Sequence, residues 1–133
     1  MKLIDKLAWV FVQDKRILLA RSKGKVLFYL PGGKRETGET DIEALCREIK
    51  EELSVHLNER SMEFMGEYLA QADEKRVGTN VKIRCYTAHY IGTMSPDSEI
   101  DEIKWLKYSD IDQVSEVTKV VMRQLKYKLA LLD

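Results

Sequence analysis

The segment from Pro31 to Val55, PGGKRETGETDIEALCREIKEELSV, constrains the fold of this chain more than any other stretch. It opens with a Pro-Gly-Gly break after the apolar run of residues 26–30 and continues through a polar loop. Thr40 and Glu43 then have the spacing of a capping box, in which two side chains satisfy backbone N–H groups at a helix start. We therefore predict a loop that leads directly into a helix beginning at Thr40.

The predicted helix has two distinct faces. At about 100° per residue, its apolar side chains fall in one narrow stripe. The stripe consists of Ile42, Leu45, Cys46, Ile49 and Leu53. Glu48, Glu51 and Glu52 fall together on another arc, about a third of a turn away. The helix is thus expected to bury one face and to present three carboxylates on another.

Three neighbouring glutamates need a physical reason, since like charges three or four residues apart cost roughly 0.2–0.5 kcal/mol per pair. A divalent cation would turn this repulsion into attraction, and Mg²⁺ and Mn²⁺ prefer carboxylate and carbonyl oxygens. The alternative is a solvated helix face on which Arg47 and Lys50 dilute the charge. The helix alone leaves both interpretations open.

The glycine and charged positions of the segment form a longer pattern. In order, the pattern is Gly33, five residues, Glu39, seven residues, and then Arg47, Glu48, Ile49, Lys50, Glu51 and Glu52. It resembles the signature of the Nudix hydrolases, the MutT-like family, which cleave nucleoside diphosphates linked to another group. The resemblance implies an α/β protein with the Nudix fold, in which a mixed β-sheet is sandwiched between helices.

One position departs from the family pattern, because the family usually has glycine where this chain has Ser54. Glycine there permits a left-handed backbone turn at the end of the helix. Val55 and Leu57 alternate like the start of a buried extended segment, so we expect the chain to turn at Ser54. Replacing Ser54 by glycine would then relieve backbone strain with little change in activity.

The resemblance implies Mg²⁺ or Mn²⁺ as the cofactor. Its implied ligands are the carboxylates of Glu48, Glu51 and Glu52 and the backbone carbonyl of Gly32. Metal ions there would bind diphosphate oxygens and activate a water nucleophile. By the same resemblance, Glu39 and Arg47 brace the loop against the helix, because an arginine fork suits a carboxylate.

The resemblance leaves the general base open, since members of the family use either a helix glutamate or an acid from a later loop. Glu52 is our first choice on the helix. The alternatives lie in the acidic loop before Trp105 and are Glu99, Asp101 and Glu102. A solvated acidic loop is an equally ordinary interpretation of those three residues.

Basic and aromatic residues around the segment are candidates for substrate binding. They are Arg21, Lys23, Lys25, Phe28, Arg84 and Tyr86. Arg21, Lys23 and Lys25 form a basic loop that would meet the distal phosphates. Phe28 stands where many members of the family carry an aromatic residue, although alternate strand residues usually belong to a core. Arg84 and Tyr86 share one face of a long strand, where they would stack on the base.

Hydrophobic alternation predicts the remaining elements. Strands are expected over residues 7–12, 16–20, 26–30, 63–71, 80–91 and 103–108. On the long strand, Val81, Ile83 and Cys85 are predicted to face the core, and a charged turn over 72–79 precedes it. A closing amphipathic helix is expected over 116–132.

Composition limits the kinds of partner. The chain has 133 residues, which we interpret as a single domain over residues 1–133. Its 22 basic and 22 acidic residues balance, which gives no electrostatic reason for a nucleic-acid polymer or a membrane as partner. Two cysteines and no export signal predict a cytoplasmic protein. We expect a monomer or a homodimer, and the sequence does not decide between them. The expected partner is a small nucleotide.

Three functions remain open at this stage. The first is cleavage of a nucleoside triphosphate to the monophosphate and pyrophosphate. The second is cleavage of a nucleotide sugar or dinucleotide, although ADP-ribose-cleaving members tend to carry a proline where this chain has Ala70. The third is a binding module of the same fold without turnover, although such modules usually lose the carboxylates that this chain retains.

Overall fold

The computed structural model of the protein describes residues 2–72 and 78–133. In chain order its strands are β1 (Lys2–Trp9), β2 (Val12–Gln13), β3 (Arg16–Ser22), β4 (Gly32–Lys34), β5 (His56–Leu57), β6 (Glu63–Gln71), β7 (Thr79–Thr87), β8 (Tyr90–Ile91) and β9 (Ile100–Leu106). Its α-helices are α1 (Asp41–Leu53) and α2 (Glu116–Tyr127), and short 3-10 helices span Glu59–Ser61 and Tyr108–Gln113. No helix among the described residues is both long and apolar enough to cross a membrane.

The largest sheet is mixed, with strand order β4-β1-β7-β6. Strand β1 runs parallel to β7 and antiparallel to β4, while β7 and β6 are antiparallel. A second sheet has the order β2-β3-β9, and β5 pairs with β8. The mixed sheet and the two helices confirm the predicted α/β class.

The two faces of the large sheet are covered by different helices. On one face, Val121, Met122 and Leu125 of α2 are buried in a cluster with Val81, Ile83 and Cys85 of β7. On the other face, a second cluster joins α1 to alternate residues of β1 and to β3; its members include Leu7, Trp9, Leu18, Leu45, Ile49 and Leu53. The prediction that the odd-numbered residues of β7 face the core is therefore confirmed.

Helix α1 begins as its sequence predicts. The Glu43 N–H donates to Thr40 Oγ1 at 3.1 Å, and the Thr40 N–H donates to Glu43 Oε1 at 2.9 Å. These bonds complete the capping box. The apolar stripe is buried at Leu45, Ile49 and Leu53, so one helix face is fixed against the sheet. This also sets the orientation of the acidic arc, the helix face formed by Glu48, Glu51 and Glu52.

The end of α1 is also as predicted. Ser54 has φ 61° and ψ 26°, a left-handed conformation, and its N–H donates to the Lys50 carbonyl oxygen. The chain then enters β5 through Val55, which is fully buried. The turn directs the chain away from the helix axis and into the core.

The predicted strand over 26–30 is wrong. Phe28 and Tyr29 form only single bridges, to Val114 and Ala20 respectively, and the regular strand is instead β4. Phe28 and Leu30 are buried, but the two bridged residues bond to different elements, so the run does not extend one ladder. An apolar run followed by a Pro-Gly-Gly break therefore marks core anchors here, not a strand.

Several other boundaries need correction. The first strand begins at Lys2 and ends at Trp9, the segment predicted as one strand over 80–91 is divided into β7 and β8, and the closing helix ends at Tyr127. The predicted strand over 103–108 begins earlier and ends at Leu106. Most of the predicted turn over 72–79 lies outside the described residues. Hydrophobic alternation locates strands well but does not report where backbone pairing stops.

Strand β4 can pair with β1 only because Gly32 has no side chain. Gly32 has φ 141°, and a Cβ atom there would overlap the backbone carbonyl oxygen of Leu7 and lie 2.9 Å from the Ala8 Cα. Ala8 is the residue opposite Gly32 in the ladder. The close approach of these two strands therefore requires glycine.

We expect Gly32→Ala to lower the free energy of unfolding by about 3 kcal/mol or more, because the added methyl group must displace β1 backbone. Gly24→Ala is the matched control: its φ of 77° is also positive, but no atom lies within 4 Å of the added Cβ. The control should lose about 1 kcal/mol, which is the conformational cost alone. Urea denaturation of both variants measures the difference, and equal losses would contradict the steric explanation.

Candidate active site

Glu52 lies where helix α1 meets strand β4. The Gly32 N–H donates to Glu52 Oε1 at 3.0 Å, so the partly buried carboxylate is held against the start of β4. Burial raises the pKa of Glu52 to about 8, against the lowering effect of the bond from Gly32. The charge of Glu48 raises it further, whereas the charge of Lys6 lowers it. Glu52 is thus a carboxylate whose negative charge the surrounding protein stabilises poorly.

Glu48 lies one helical turn earlier and packs against the next glycine. A Cβ atom on Gly33 would lie 2.5 Å from the Glu48 carboxylate carbon, so a larger residue there would displace that carboxylate. Burial raises the pKa of Glu48 even though Arg47 donates to it at 2.9 Å. The nearby charge of Glu51, which is an exposed residue, adds to the increase.

Arg47 joins the polar loop to the helix. Its Nε donates to Glu39 Oε2 at 2.7 Å and its Nη2 to Glu39 Oε1 at 2.9 Å, which is a bidentate pair. The Arg47 Nη2 also donates to the Lys34 carbonyl oxygen at 3.1 Å, at the end of β4. The Arg47 bond and a second from the Glu36 N–H lower the pKa of Glu39 to about 2. These contacts have the geometry of the brace that the resemblance implies.

The donor set of the acidic arc suits a hard cation. Glu48, Glu51 and Glu52 lie on one arc of α1, and carboxylate oxygens are the ligands that Mg²⁺ and Mn²⁺ prefer. Burial is the main cause of the raised pKa values of Glu48 and Glu52, and the charges of neighbouring glutamates add to the increase. The carboxylates are drawn to different partners, Glu48 to Arg47 and Glu52 to Gly32. Within residues 2–72 and 78–133, no three His, Cys, Asp or Glu side chains are gathered closely enough to hold a metal ion. Binding of a cation would require these side chains to turn toward one another.

A cavity of about 490 Å³ adjoins Glu52. Its lining includes Gly32, Gly33 and Glu52, while Val117 and Thr118 contribute from the start of α2. Further lining comes from apolar residues of the sheets and their connections, among them Ile4, Ala20, Leu30, Val81 and Ile83. The size is that of an ordinary small-molecule site, and such sites combine apolar walls with a few polar groups.

The basic loop contributes to this cavity differently from its prediction. Arg21 donates to Asp101 at 2.9 Å and to Glu102 at 3.3 Å, so its cation is paired with two of the acids proposed as loop bases. Lys25 lines the cavity, and so does Glu99. Lys23 is fixed by its backbone N–H, which donates to the Glu99 carbonyl oxygen. The structure therefore brings Lys25 and Glu99 to the cavity together with Glu52.

The structure does not bring the aromatic and strand candidates to the cavity. Phe28 is only 5% exposed and belongs to the core cluster beneath α2, so it has almost no surface to offer a substrate. Val81 and Ile83 line the cavity, and side chains alternate along a strand, so Arg84 and Tyr86 lie on the opposite face. None of these three side chains lines the cavity.

Arg84 and Tyr86 instead bond to Asp41 at the first turn of α1. Asp41 Oδ2 accepts from Arg84 Nε at 2.7 Å and from the Tyr86 hydroxyl at 2.6 Å, and Arg35 lies 2.6 Å from Asp41 Oδ1. The Phe64 ring covers the Arg84 guanidinium at 4.5 Å. We call Asp41, Arg35, Arg84 and Tyr86 the Asp41 network. It fixes the helix start to the sheet on the face away from the cavity.

Three polar residues that line the cavity, Lys6, Tyr29 and Thr118, were not predicted from the sequence. Lys6 and Tyr29 line the cavity, with the Lys6 Nζ 5.8 Å from the centre of the Tyr29 ring. Thr118 also lines it and is fully buried, its hydroxyl 2.7 Å from that of Ser115. An available signal was a lysine at a position of β1 that alternates with apolar residues, but the strand was predicted to begin only at Leu7.

Known proteins with similar sequences and structures identify the fold and the family of this chain. A NUDIX domain model matches residues 5–126. Similar solved structures include a MutT NUDIX hydrolase from Burkholderia pseudomallei, with a TM-score of 0.75 and 23% identity over 94% of this chain and 99% of that one. A NUDIX hydrolase from Nitrosomonas europaea has a TM-score of 0.74 and 20% identity over 98% and 92% of the two chains. The fold and the family model together show that the chain belongs to the Nudix family.

One curated relative shares a short segment. The human 8-oxo-dGDP phosphatase NUDT18 is 46% identical over 46 residues, which are 33% of this chain and 14% of that protein. The aligned part thus covers only a small fraction of the relative's length. The ORF135 protein of E. coli is similar over nearly the whole fold, with a TM-score of 0.73, 22% identity and coverage of 96% of this chain and 93% of that one.

The Asp41 network makes a prediction about acid stability. Burial alone would raise the pKa of Asp41, but the bonds from Tyr86, Arg84 and Arg35 outweigh it and lower the pKa from 3.8 to about 2. A carboxyl whose pKa is lowered on folding stabilises the protein above its ordinary pKa and loses that effect as the pH falls through the lowered value. We expect Asp41→Asn to lower the free energy of unfolding by about 1–2 kcal/mol at neutral pH.

The difference in the free energy of unfolding between wild type and Asp41→Asn should shrink as the pH is lowered from about 4 toward about 2, because Asp41 itself becomes neutral. Urea titrations across this range measure it. Asp112→Asn, at an exposed aspartate of the 3-10 helix, is the control and should leave stability almost unchanged. A constant difference at every pH would contradict the electrostatic role.

Proposed function

We propose that this protein is a Mg²⁺- or Mn²⁺-dependent pyrophosphohydrolase that cleaves a nucleoside triphosphate to the monophosphate and pyrophosphate. The observation that carries the proposal is the position of Glu52. It belongs both to the acidic arc of α1 and to the lining of the cavity, so charge-neutralising chemistry and substrate binding meet at one side chain. Membership of the Nudix family supports the same class of reaction.

Glu48, Glu51, Glu52 and the Gly32 carbonyl are the groups that would hold the metal. When bound, a divalent cation supplies charge neutralisation for the diphosphate and lowers the pKa of a water nucleophile. The residues around them serve to hold this set in place. Gly33 leaves room for Glu48, and Arg47 links the acidic loop residue Glu39 to the end of β4.

The charges of the cavity suit a phosphate chain next to a nucleoside. Lys6, Lys25 and Lys34 line the cavity, and ammonium groups attract phosphate oxygens. Beyond them, apolar residues such as Leu30, Ile83 and Val117 offer a surface for a base or sugar. In this arrangement, the phosphates lie near Glu52 and the nucleoside extends toward α2.

Proton transfer from the nucleophilic water is assigned first to Glu52. Its carboxylate lies at the cavity and is held by the Gly32 N–H, which fixes the orientation of one oxygen. Glu99 is the loop alternative, since it lines the same cavity, whereas Asp101 and Glu102 are paired with Arg21. The structure thus favours Glu99 among the three loop acids that the sequence offered.

We expect turnover to stop when divalent metal is removed, because three carboxylates cannot hold a polyphosphate without a cation. The assay is a panel of nucleoside triphosphates, 8-oxo-dGDP, nucleotide sugars and dinucleotides, read as phosphate with and without added inorganic pyrophosphatase. Hydrolysis should be lost in excess chelator and restored by Mg²⁺ or Mn²⁺. Undiminished turnover in chelator would exclude the metal-dependent reaction, and preference for nucleotide sugars would exclude the substrate class.

Glu52→Gln should remove nearly all turnover while the fold is retained. Gln has almost the same shape, but it loses a charged ligand and a proton acceptor, which we expect to lower kcat about a thousandfold or more. Glu63→Gln, at an exposed glutamate of β6, is the control and should keep its activity. Circular dichroism and thermal melts check the fold. A Glu52→Gln rate within about tenfold of wild type would assign the role to another residue.

A further inference from the structure

The helix exit of α1 carries a side-chain bond that a glycine there would lack. The exposed Ser54 hydroxyl donates to Asp97 Oδ2 at 3.0 Å, joining positions 43 residues apart. Serine in a left-handed conformation is less favourable than glycine, and Ser54 adopts that conformation with φ 61°. The bond therefore offers a reason for serine at a position where the backbone favours glycine.

Asp97 organises the loop of residues 92–99, which we call the 92–99 loop. Its Oδ1 accepts from the Ser98 N–H at 2.6 Å, and its carbonyl oxygen accepts from the Ile100 N–H at 3.0 Å. Its own N–H donates to the Glu52 carbonyl oxygen at 3.0 Å. The bonds from the Ser98 backbone N–H and the Ser54 hydroxyl lower the pKa of Asp97, so it accepts them as a carboxylate. Asp97 is thus bonded directly to the backbone of Glu52 and to the residue after α1.

The same loop carries Glu99 to the cavity. Glu99 lines the cavity together with Glu52, and its carbonyl oxygen accepts from the Lys23 N–H at 2.8 Å. The Ser95 N–H provides a further tie, donating to the Leu53 carbonyl oxygen at 3.1 Å. The loop is therefore attached to the end of α1 on one side and to the basic loop on the other. The Ser54–Asp97 bond is the side-chain part of this attachment.

We propose that Ser54 is a positioning residue that holds the 92–99 loop against the end of α1 and thereby sets the placement of Glu99 at the cavity beside Glu52. The effect on catalysis rests on the proposed function, whereas the hold on the loop does not. Ser54 itself does not line the cavity, so its influence passes through Asp97 and the loop. Small displacements of a group at the reacting centre can change rates strongly, which makes such a bond consequential.

Amide hydrogen exchange tests the hold on the loop without any assay of turnover. In Ser54→Gly and in Asp97→Ala, the backbone amides at positions 95 and 97 should exchange about tenfold faster than in wild type, because local opening of the loop becomes easier. Ser54→Gly removes the hydroxyl but also adds backbone freedom at position 54, whereas Asp97→Ala removes the same bond and leaves residue 54 unchanged. Faster exchange in both variants therefore assigns the effect to the bond. Ser95→Ala is the control, since within the described part of the chain the Ser95 side chain makes no hydrogen bond.

Kinetics test whether the hold acts through Glu99. The sequence alone led us to expect little change in activity for Ser54→Gly, but the bond to Asp97 reverses that expectation. If Glu99 acts in the chemical step, as the loop alternative to Glu52, Ser54→Gly should lower kcat about tenfold with KM nearly unchanged. In a Glu99→Gln background, Ser54→Gly should have no further effect on kcat, because the group it positions is already lost. Ser95→Ala should leave kcat unchanged. A merely stabilising role would not produce this dependence on Glu99.

The outcomes separate the two proposals. Unchanged exchange of the Asp97 and Ser95 amides in Ser54→Gly overturns the positioning role, whatever the activity. An equal fall in kcat with and without Glu99 shows that Ser54 does not act through Glu99 and overturns that part. If the wild-type protein hydrolyses no member of the substrate panel, the proposed function fails, and the exchange rates alone decide whether Ser54 holds the loop.

Discussion

The close approach of two glycines to their neighbours is the constraint on which the rest of the site depends. Gly32 lies against the backbone of β1, and Gly33 lies against the carboxylate of Glu48. Because neither has a side chain, β4 pairs closely with β1 and packs against helix α1, and the Gly32 N–H reaches Glu52. A side chain at position 32 would clash with β1 backbone, and one at position 33 would displace the Glu48 carboxylate. The Pro-Gly-Gly break is thus a packing requirement before it is a chemical one.

The large sheet assigns different tasks to its two faces. The face toward α1 carries the Asp41 network, which satisfies a partly buried carboxylate with three donors. The face toward α2 carries the cavity, where Glu52 is left with a raised pKa. Hydrogen bonds and ion pairs stabilise the carboxylate of Asp41 at the start of α1. The carboxylate of Glu52 near the end of the helix is left poorly stabilised, and a cation bound there would stabilise it. Strain confined to a functional site and offset elsewhere is common in enzymes.

Local sequence rules predicted the parts of this structure that depend on local physics. The capping box at Thr40, the buried stripe of α1 and the left-handed Ser54 all follow from a few neighbouring residues, and all are confirmed. Phe28, Arg84 and Tyr86 do not line the cavity, because the facing of a side chain depends on which sheet face is covered by which helix. Lys6 was missed because pairing with β7 extends β1 toward the N-terminus. Such long-range pairing has no local signature.

The raised pKa of Glu52 has a consequence for the folded state as a whole. A group that is poorly solvated when ionised works against folding at neutral pH, and a ligand that binds only the folded chain shifts the equilibrium toward it. A cation bound by the α1 glutamates would therefore stabilise the folded state as well as serve in catalysis. The amount of native protein would then depend on the free divalent ion concentration of its surroundings, even in the absence of any nucleotide.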